Sequence, residues 1–192
     1  MFYRWLFSSL FLFMWAGWLV LWRVMAFRVK AVAQSESLPS RLSHVVPLLI
    51  AGCLLAAPQV PIPLLDGRFV PLAIWPAALG AGLMFAGVLF SVWARFVLAG
   101  NWSGFVQVKQ DHELIVEGPY RWVRHPIYTG LILMFVGTAL AVGEWRGVLA
   151  VAIAAASFWH KLRLEEAVMR RQFGEAYARY AERVPALIPF LV

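Results

Sequence analysis

Residues 118–143 read GPYRWVRHPIYTGLILMFVGTALAVG. The first half sets Arg121, Arg124 and His125 between two prolines, and the second half is almost wholly apolar. A polar, aromatic cluster that opens directly onto an apolar run marks a membrane–water boundary. The rest of the chain agrees. It has 192 residues, of which 62% are hydrophobic and 14% charged, and its mean hydropathy is +0.73. A soluble domain of this length has no interior large enough for that much apolar surface. The reading is an all-α, polytopic integral membrane protein forming one structural domain.

About 20 apolar residues are needed to cross the hydrocarbon as a helix. Five runs are candidates: Phe2 to Phe27, His44 to Leu65, Phe69 to Leu98, Ile127 to Gly143 and Gly147 to His160. The last two are short. Either the fifth helix continues into the cytoplasm through Lys161 to Arg183, or the two runs form a tight hairpin across Gly143 to Gly147. With five spans, 14 of the 17 basic residues fall on one side, and only Arg4, Arg68 and Arg146 on the other. That bias predicts an outside N-terminus and a cytoplasmic C-terminus. It also explains the net charge of +7 without a nucleic-acid partner. Ala31-Val32-Ala33 has the look of a signal-peptide cleavage site. The basic residues Arg23, Arg28 and Lys30 lie at the wrong end for one, so the first helix is expected to be retained.

The single cysteine, Cys53, permits no intrachain disulfide and excludes a cysteine-rich zinc site, so no metal is expected. Gly80-Ala81-Gly82 has no preceding strand and is no dinucleotide loop. Ala78, Gly82 and Ala86, four apart, predict a small-residue face for close helix packing.

Pro126 disfavours a helical His125 and suits the first turn of a helix that begins beside it. His125 is thereby placed at a helix N-terminus, where backbone N–H groups are free. Residues 101–125 then lie at the interface, carrying Gln107, His112, Glu113, Tyr120 and His125. Arg121 reads as part of an interfacial belt. Downstream, residues 158–183 form an amphipathic helix on which Lys161 and Glu165, four apart, share a face. The pair Glu165-Glu166 reads equally well as a solvated face.

HELIVEGPYRWVRHPIYTG, residues 112–130, followed by EEAVMRRQFGEAYARYAERVPALIPF, residues 165–190, resembles the isoprenylcysteine carboxyl methyltransferases and their prokaryotic relatives among the phospholipid methyltransferases. The order Gly-x-Tyr, Arg-His-Pro-x-Tyr, Glu-Glu, Phe-Gly-x-x-Tyr carries the likeness, and it covers roughly residues 100–190. The first two helices resemble nothing beyond membrane spans, and residues 1–98 are expected to hold three membrane helices.

The resemblance implies that residues 99–192 form a methyltransferase core binding S-adenosylmethionine without a Rossmann domain. It implies cofactor contacts at Gln107, His112, Glu113, Leu114, Ile115, Tyr120, His125, Pro126, Ile127, Tyr128 and Glu165. It also implies an acceptor-facing cation one turn before Glu165. That cation is Lys161 here, where eukaryotic relatives have arginine, with Arg163 nearby. A carboxylate acceptor is already ionised and needs a cation rather than a base. An amine would need a base such as His125.

The expected acceptor is a lipophilic molecule, a prenylcysteine-like carboxylate or a lipid headgroup, entering from the bilayer at the cytoplasmic face of a prokaryotic membrane. Two other readings stand beside it. One is an NADPH-dependent reductase of the sterol-reductase kind, and the other is a non-catalytic membrane scaffold.

Overall fold

The computed structural model describes residues 2–26, 32–56, 61–102, 104, 106–109 and 113–189. Six helices make up most of them: α1 (Phe2–Met25), α2 (Leu38–Ala56), α3 (Ile74–Leu98), α4 (Pro126–Val142), α5 (Trp145–Phe173) and α6 (Glu175–Arg183). One departure from the all-helical expectation is a two-stranded antiparallel ribbon, β1 (Val32–Ser35) with β2 (Gln107–Lys109). Among the described residues, α2, α5 and the stretch Ile74–Asn101 are long and apolar enough to cross a membrane, while Ser9–Met25 and Pro126–Val142 are shorter apolar helices.

Three boundaries differ from the hydropathy reading. The second helix starts at Leu38 rather than His44 because Ser37 caps it, its carbonyl accepting the N–H of Arg41 at 3.0 Å. Pro39 then falls in the first turn, where a missing N–H costs nothing. It ends at Ala56, ahead of Pro58, Pro61 and Pro63. The third helix starts at Ile74 rather than Phe69. Residues 65–69 instead clamp the α4–α5 turn: Leu65 and Gly67 carbonyls accept the N–H groups of Arg146 (2.8 Å) and Trp145 (3.0 Å), and the Phe69 N–H donates to Gly143 (3.0 Å).

Both alternatives for the fourth and fifth runs hold together. Gly143, at φ 71°, takes the left-handed conformation that ends α4, and its N–H bonds Ala139 at 2.8 Å. This gives a tight hairpin. Yet α5 runs on for 29 residues, about 43 Å at 1.5 Å per residue, well beyond a hydrocarbon core of about 30 Å. The single amphipathic helix expected through Arg183 is broken instead at Gly174, whose φ of 52° closes α5 and restarts the chain as α6.

The close packing lies between α3 and α4, but not along Ala78, Gly82 and Ala86. Those residues are exposed, and no atom lies within 4 Å of a Cβ built on Gly82. The contact face is Gly80 and Gly87 against Gly137 and Gly130. A Cβ on any of the four would collide with the backbone of the glycine opposite, that on Gly130 standing 2.7 Å from the Gly87 carbonyl. Both helices therefore repeat glycine every seven residues, and the backbones meet in antiparallel register. Met84 and Met134, both fully buried, fill the seam between the two glycine pairs.

Candidate active site

The site is assembled where α4 begins. Glu117 to Arg121 form a turn, with Gly118 at φ 56° and Pro119 and Tyr120 buried. Pro126 opens α4 as the proline rule predicts. The N-terminus is nonetheless not free. The chain beyond α6 folds back over it, so that the N–H of Arg124 donates to Pro185 O (2.8 Å) and that of His125 to Ala186 O (3.0 Å). The Thr129 hydroxyl donates to Leu187 O at 2.7 Å. The expectation of an open N–H at His125 is thus corrected: the carbonyls of Pro185 and Ala186 take the N–H groups of Arg124 and His125.

Two adjacent glutamates on α5 then divide the work. Successive helical residues point about 100° apart. Glu166 is buried and holds Arg124, with Nε at 2.8 Å and Nη2 at 2.7 Å from Oε1. Arg124 also donates to the carbonyls of Ala181 and Val184, which ties α6 to α4. The solvated-face reading of Glu166 is therefore wrong. Glu165 faces the other way. Its Oε1 accepts the Tyr128 hydroxyl at 2.6 Å and lies 3.9 Å from Lys161 Nζ, while its Oε2 is 3.6 Å from His125 Nδ1. His125 bridges the two carboxylates, with Nε2 3.3 Å from Glu166. The His125 ring stacks on Tyr128, and Tyr128 on Phe158, so the row is fixed by packing as well as by hydrogen bonds.

Lys161 is buried. Its ammonium donates to the Gly104 carbonyl at 2.7 Å and lies 5.5 Å from the Tyr128 ring centroid. The Gly104 segment is itself held from the far side. The Glu36 carboxylate accepts the Val106 N–H (3.1 Å), the Ser40 hydroxyl (2.6 Å) and His44 Nε2 (3.0 Å). Burial alone would push the Glu36 carboxyl up, but these hydrogen bonds outweigh it and hold its pKa below the usual value.

Arg124, His125, Tyr128, Phe158, Lys161 and Glu165 line one cavity of about 440 Å³, the size expected for a small-molecule site, and Glu166 and Glu36 hold its walls from outside it. Of the residues singled out from the sequence, Glu113, Leu114, Ile115 and Tyr120 line it from the interfacial segment. His125, Pro126, Ile127 and Tyr128 line it from α4, and Lys161 and Glu165 from α5. Arg163 points away and is exposed. Gln107 lies in β2, its backbone paired with Ser35. His112 lies outside the described residues. The sequence reading missed Asn101, whose side-chain amide bonds the backbone and carboxylate of Glu113 (both 3.3 Å). It also missed Tyr177 and Tyr180, brought to the cavity by α6. Tyr180 donates to the Tyr120 carbonyl at 2.7 Å. Burial pushes the Tyr120, Tyr177 and Tyr180 phenols well above their ordinary range, so all three remain neutral donors. The signal for α6 was present in Phe-Gly-x-x-Tyr, where Gly174 makes the break and Tyr177 follows one turn later.

The cavity has two chemically distinct ends. The interfacial end carries Asn101, Glu113, Tyr120, Arg124, His125, Tyr177 and Tyr180, whereas the end deeper along the helices is walled by Trp18, Leu19, Leu48, Leu131, Phe135 and Phe158. Lys161, Glu165 and Tyr128 stand at the junction.

Comparison with known proteins follows the same outline. The family model described as phospholipid methyltransferase matches residues 75–176, more than half of the chain. Protein-S-isoprenylcysteine O-methyltransferase B of Arabidopsis thaliana is 27% identical over 120 residues, covering 61% of this chain and 61% of the relative. The corresponding enzyme of Rattus norvegicus is 30% identical over 120 residues, covering 61% of this chain and 42% of the relative. A solved eukaryotic intramembrane Ras methyltransferase, an isoprenylcysteine carboxyl methyltransferase, superposes with a TM-score of 0.53 at 25% identity, over 79% of this chain and 51% of that one. The chain thus spans between about two-fifths and three-fifths of the length of these relatives. The family match runs from α3 through the interfacial cluster, α4 and α5 to the start of α6, and on that ground the chain belongs to the phospholipid methyltransferase family.

Proposed function

We propose that the protein transfers a methyl group from S-adenosylmethionine to a carboxylate on a lipophilic acceptor, at the cytoplasmic face of a membrane crossed by α1–α5 with the N-terminus outside. The observation that carries this reading is the two-ended cavity with a buried lysine and a glutamate at its junction. The polar end fits the methyl donor's chemistry. Glu165 suits an ammonium or ribose hydroxyls, the neutral phenols of Tyr120 and Tyr177 offer donors, and the backbone of residues 113–115 suits an adenine edge. When bound, the donor supplies an electrophilic methyl carried on a sulfonium.

The residues of the chain then align and desolvate the partners. Lys161 holds the acceptor carboxylate by a charge-assisted contact, and the aromatic wall keeps water from the junction. A carboxylate oxygen forms the new bond to the methyl carbon as the carbon–sulfur bond breaks. The electron pair stays on sulfur and no proton moves, so no general base is required. The apolar end takes the acceptor's hydrocarbon from the bilayer side.

The test uses purified protein in lipid nanodiscs. Calorimetric titration with S-adenosylhomocysteine is expected to show one saturable site and titration with NADPH none. Methyl-labelled donor is expected to pass label to a prenylcysteine carboxylate. NADPH binding without S-adenosylhomocysteine binding would replace this reading with a reductase. Binding of neither would replace it with a scaffold.

A further inference from the structure

We infer that Glu36, in the segment leading into α2, is a positioning residue for Lys161: through Val106 and the Gly104 carbonyl it sets where the lysine's ammonium points. The inference rests on the proposed function for what Lys161 holds. The chain of contacts is a matter of geometry.

A lysine ammonium is a compact charge on a flexible four-carbon stem, and nothing in the side chain itself fixes its aim. In Lys161 the aim comes from outside. Its Nζ donates to the Gly104 carbonyl at 2.7 Å, whereas Glu165 Oε1, at 3.9 Å, is beyond hydrogen-bond reach. An ammonium has three N–H donors, so the bond to Gly104 decides which way the other two face an incoming carboxylate.

Gly104 belongs to neither α3 nor β2, and its carbonyl is placed by what grips the segment on either side. Upstream, Trp102 lies under the Arg95 guanidinium, 4.5 Å from the ring centroid, and edge-on to Trp22 at 5.7 Å. Arg95 is buried and donates to the carbonyls of Met25 and Ala99, at 2.6 and 2.7 Å. Trp22 stacks on Trp18, whose indole N–H donates to the Ser91 hydroxyl on α3 at 3.0 Å. That end of the segment is part of the α1–α3 frame. Downstream, the grip is Glu36, which takes both backbone groups of Val106. The Glu36 N–H donates to the Val106 carbonyl at 3.0 Å, and the Glu36 carboxylate accepts the Val106 N–H at 3.1 Å.

Gly104 and Val106 line the cavity, while Glu36 stands behind them with its side chain 4% exposed. A buried carboxylate is unfavourable unless donors satisfy it. Here the Ser40 hydroxyl donates to Oε2 at 2.6 Å and His44 Nε2 lies 3.0 Å from Oε1, both from the first two turns of α2. His44 is buried in turn, and its backbone carbonyl accepts the Ser157 hydroxyl of α5 at 2.6 Å. Lys161 follows Ser157 by one turn of the same helix. The helix that carries the lysine thus also anchors, through α2 and Glu36, the carbonyl that aims it.

The experiment is a double-mutant cycle on the full chain in nanodiscs: parent, Glu36→Ala, Lys161→Met and the two together. Three quantities are read. They are kcat/KM for a prenylcysteine carboxylate, S-adenosylhomocysteine affinity by calorimetry, and the rate at which an amine-reactive acyl ester modifies Lys161, followed by peptide mass spectrometry. Glu36→Ala is expected to lower kcat/KM about tenfold, the scale of a group displaced by a fraction of about 1 Å. Its S-adenosylhomocysteine affinity is expected to stay at the parent value, which also certifies folding, and Lys161 is expected to react at least about threefold faster as its tether loosens. In the Lys161→Met background the same substitution is expected to cost less than about twofold, because the two residues act as a unit. Glu36→Gln keeps an oxygen for the Val106 N–H but loses the charge, and a loss of about threefold is expected.

A tenfold loss repeated in the Lys161→Met background would overturn the inference, as would equal loss of S-adenosylhomocysteine affinity and turnover. Parent-like turnover with parent-like Lys161 modification in Glu36→Ala would overturn it too. If Glu36→Ala does not fold, Glu36→Gln and Ser40→Ala take its place in the same cycle. A parent that transfers no methyl group, with Lys161 reacting faster in the Glu36 variant, would overturn the proposed reaction and leave the positioning role standing.

Discussion

The α3–α4 seam and the cluster around Arg124 and Glu166 are both buried, and they are held by opposite means. The seam has almost no polar chemistry. Four glycines let two backbones touch, and the stabilisation comes from packing that any added atom would spoil. The cluster is made of charges and hydroxyls that would be unfavourable singly and are favourable only as a set. The seam can therefore fix a frame, and the cluster can present groups to a ligand. Placing Ser91 on the seam helix and His125 beside the ion pair couples the frame to both ends of the cavity.

The comparison can be broken most sharply at Glu166. Glu166→Ala leaves the half-buried Arg124 without its carboxylate, and the expected loss is about 3 kcal/mol, the low end for breaking a buried pair because two carbonyls still accept from Arg124, read as a fall in the thermal midpoint and release of α6 to protease. In the seam, Gly137→Val drives a branched side chain into the Gly80 backbone. The expected loss is about 3 kcal/mol, the upper end of overpacking, because backbone cannot step aside. The same readout checks it. If Gly137→Val proved neutral and Gly82→Val destabilising, the contact face would be the other one.

A smaller effect is expected from acid. Glu36 has a folded-state pKa below its unfolded value of about 4.3. Its contribution is therefore present above that unfolded value and is lost as pH falls through the lower folded one. Thermal midpoints of the parent should fall across this acid window, and those of Glu36→Gln should fall less. The smallest effect belongs to Arg163→Ala. Arg163 is exposed, and a change within about 0.5 kcal/mol is expected in stability, with turnover unaltered.

These regions were also unequally legible in the sequence. The polar cluster announced itself through two X-Pro turns, and ten of the residues that the family resemblance implied line one cavity. The seam did not. Its glycines recur every seven residues in two separate helices, and nothing within either helix says which small-residue stripe will meet the other, so Ala78, Gly82 and Ala86 looked as good. Glu166 was ambiguous for a related reason: its partner lies 42 residues away, where no pattern within the helix points. Gly174 could be read as a helix residue because only tertiary packing of Tyr177 makes the break worthwhile. Trp18 and Trp22 could not be assigned to a cavity, since an apolar span gives an indole no reason to prefer protein over lipid until Ser91 is seen opposite.

The central claim is that the junction separates two ligands, the donor on Glu165 and the acceptor on Lys161. The direct measurement is a pair of calorimetric titrations with S-adenosylhomocysteine, on Glu165→Gln and Lys161→Met, alongside kcat/KM for a prenylcysteine carboxylate. Glu165→Gln is expected to weaken donor-site binding. Lys161→Met is expected to leave that binding intact and cut kcat/KM by about ten- to a hundredfold, the equivalent of one charge-assisted contact worth about 1.5–3 kcal/mol. Equal loss of both in Lys161→Met, or unchanged binding in Glu165→Gln, would contradict it.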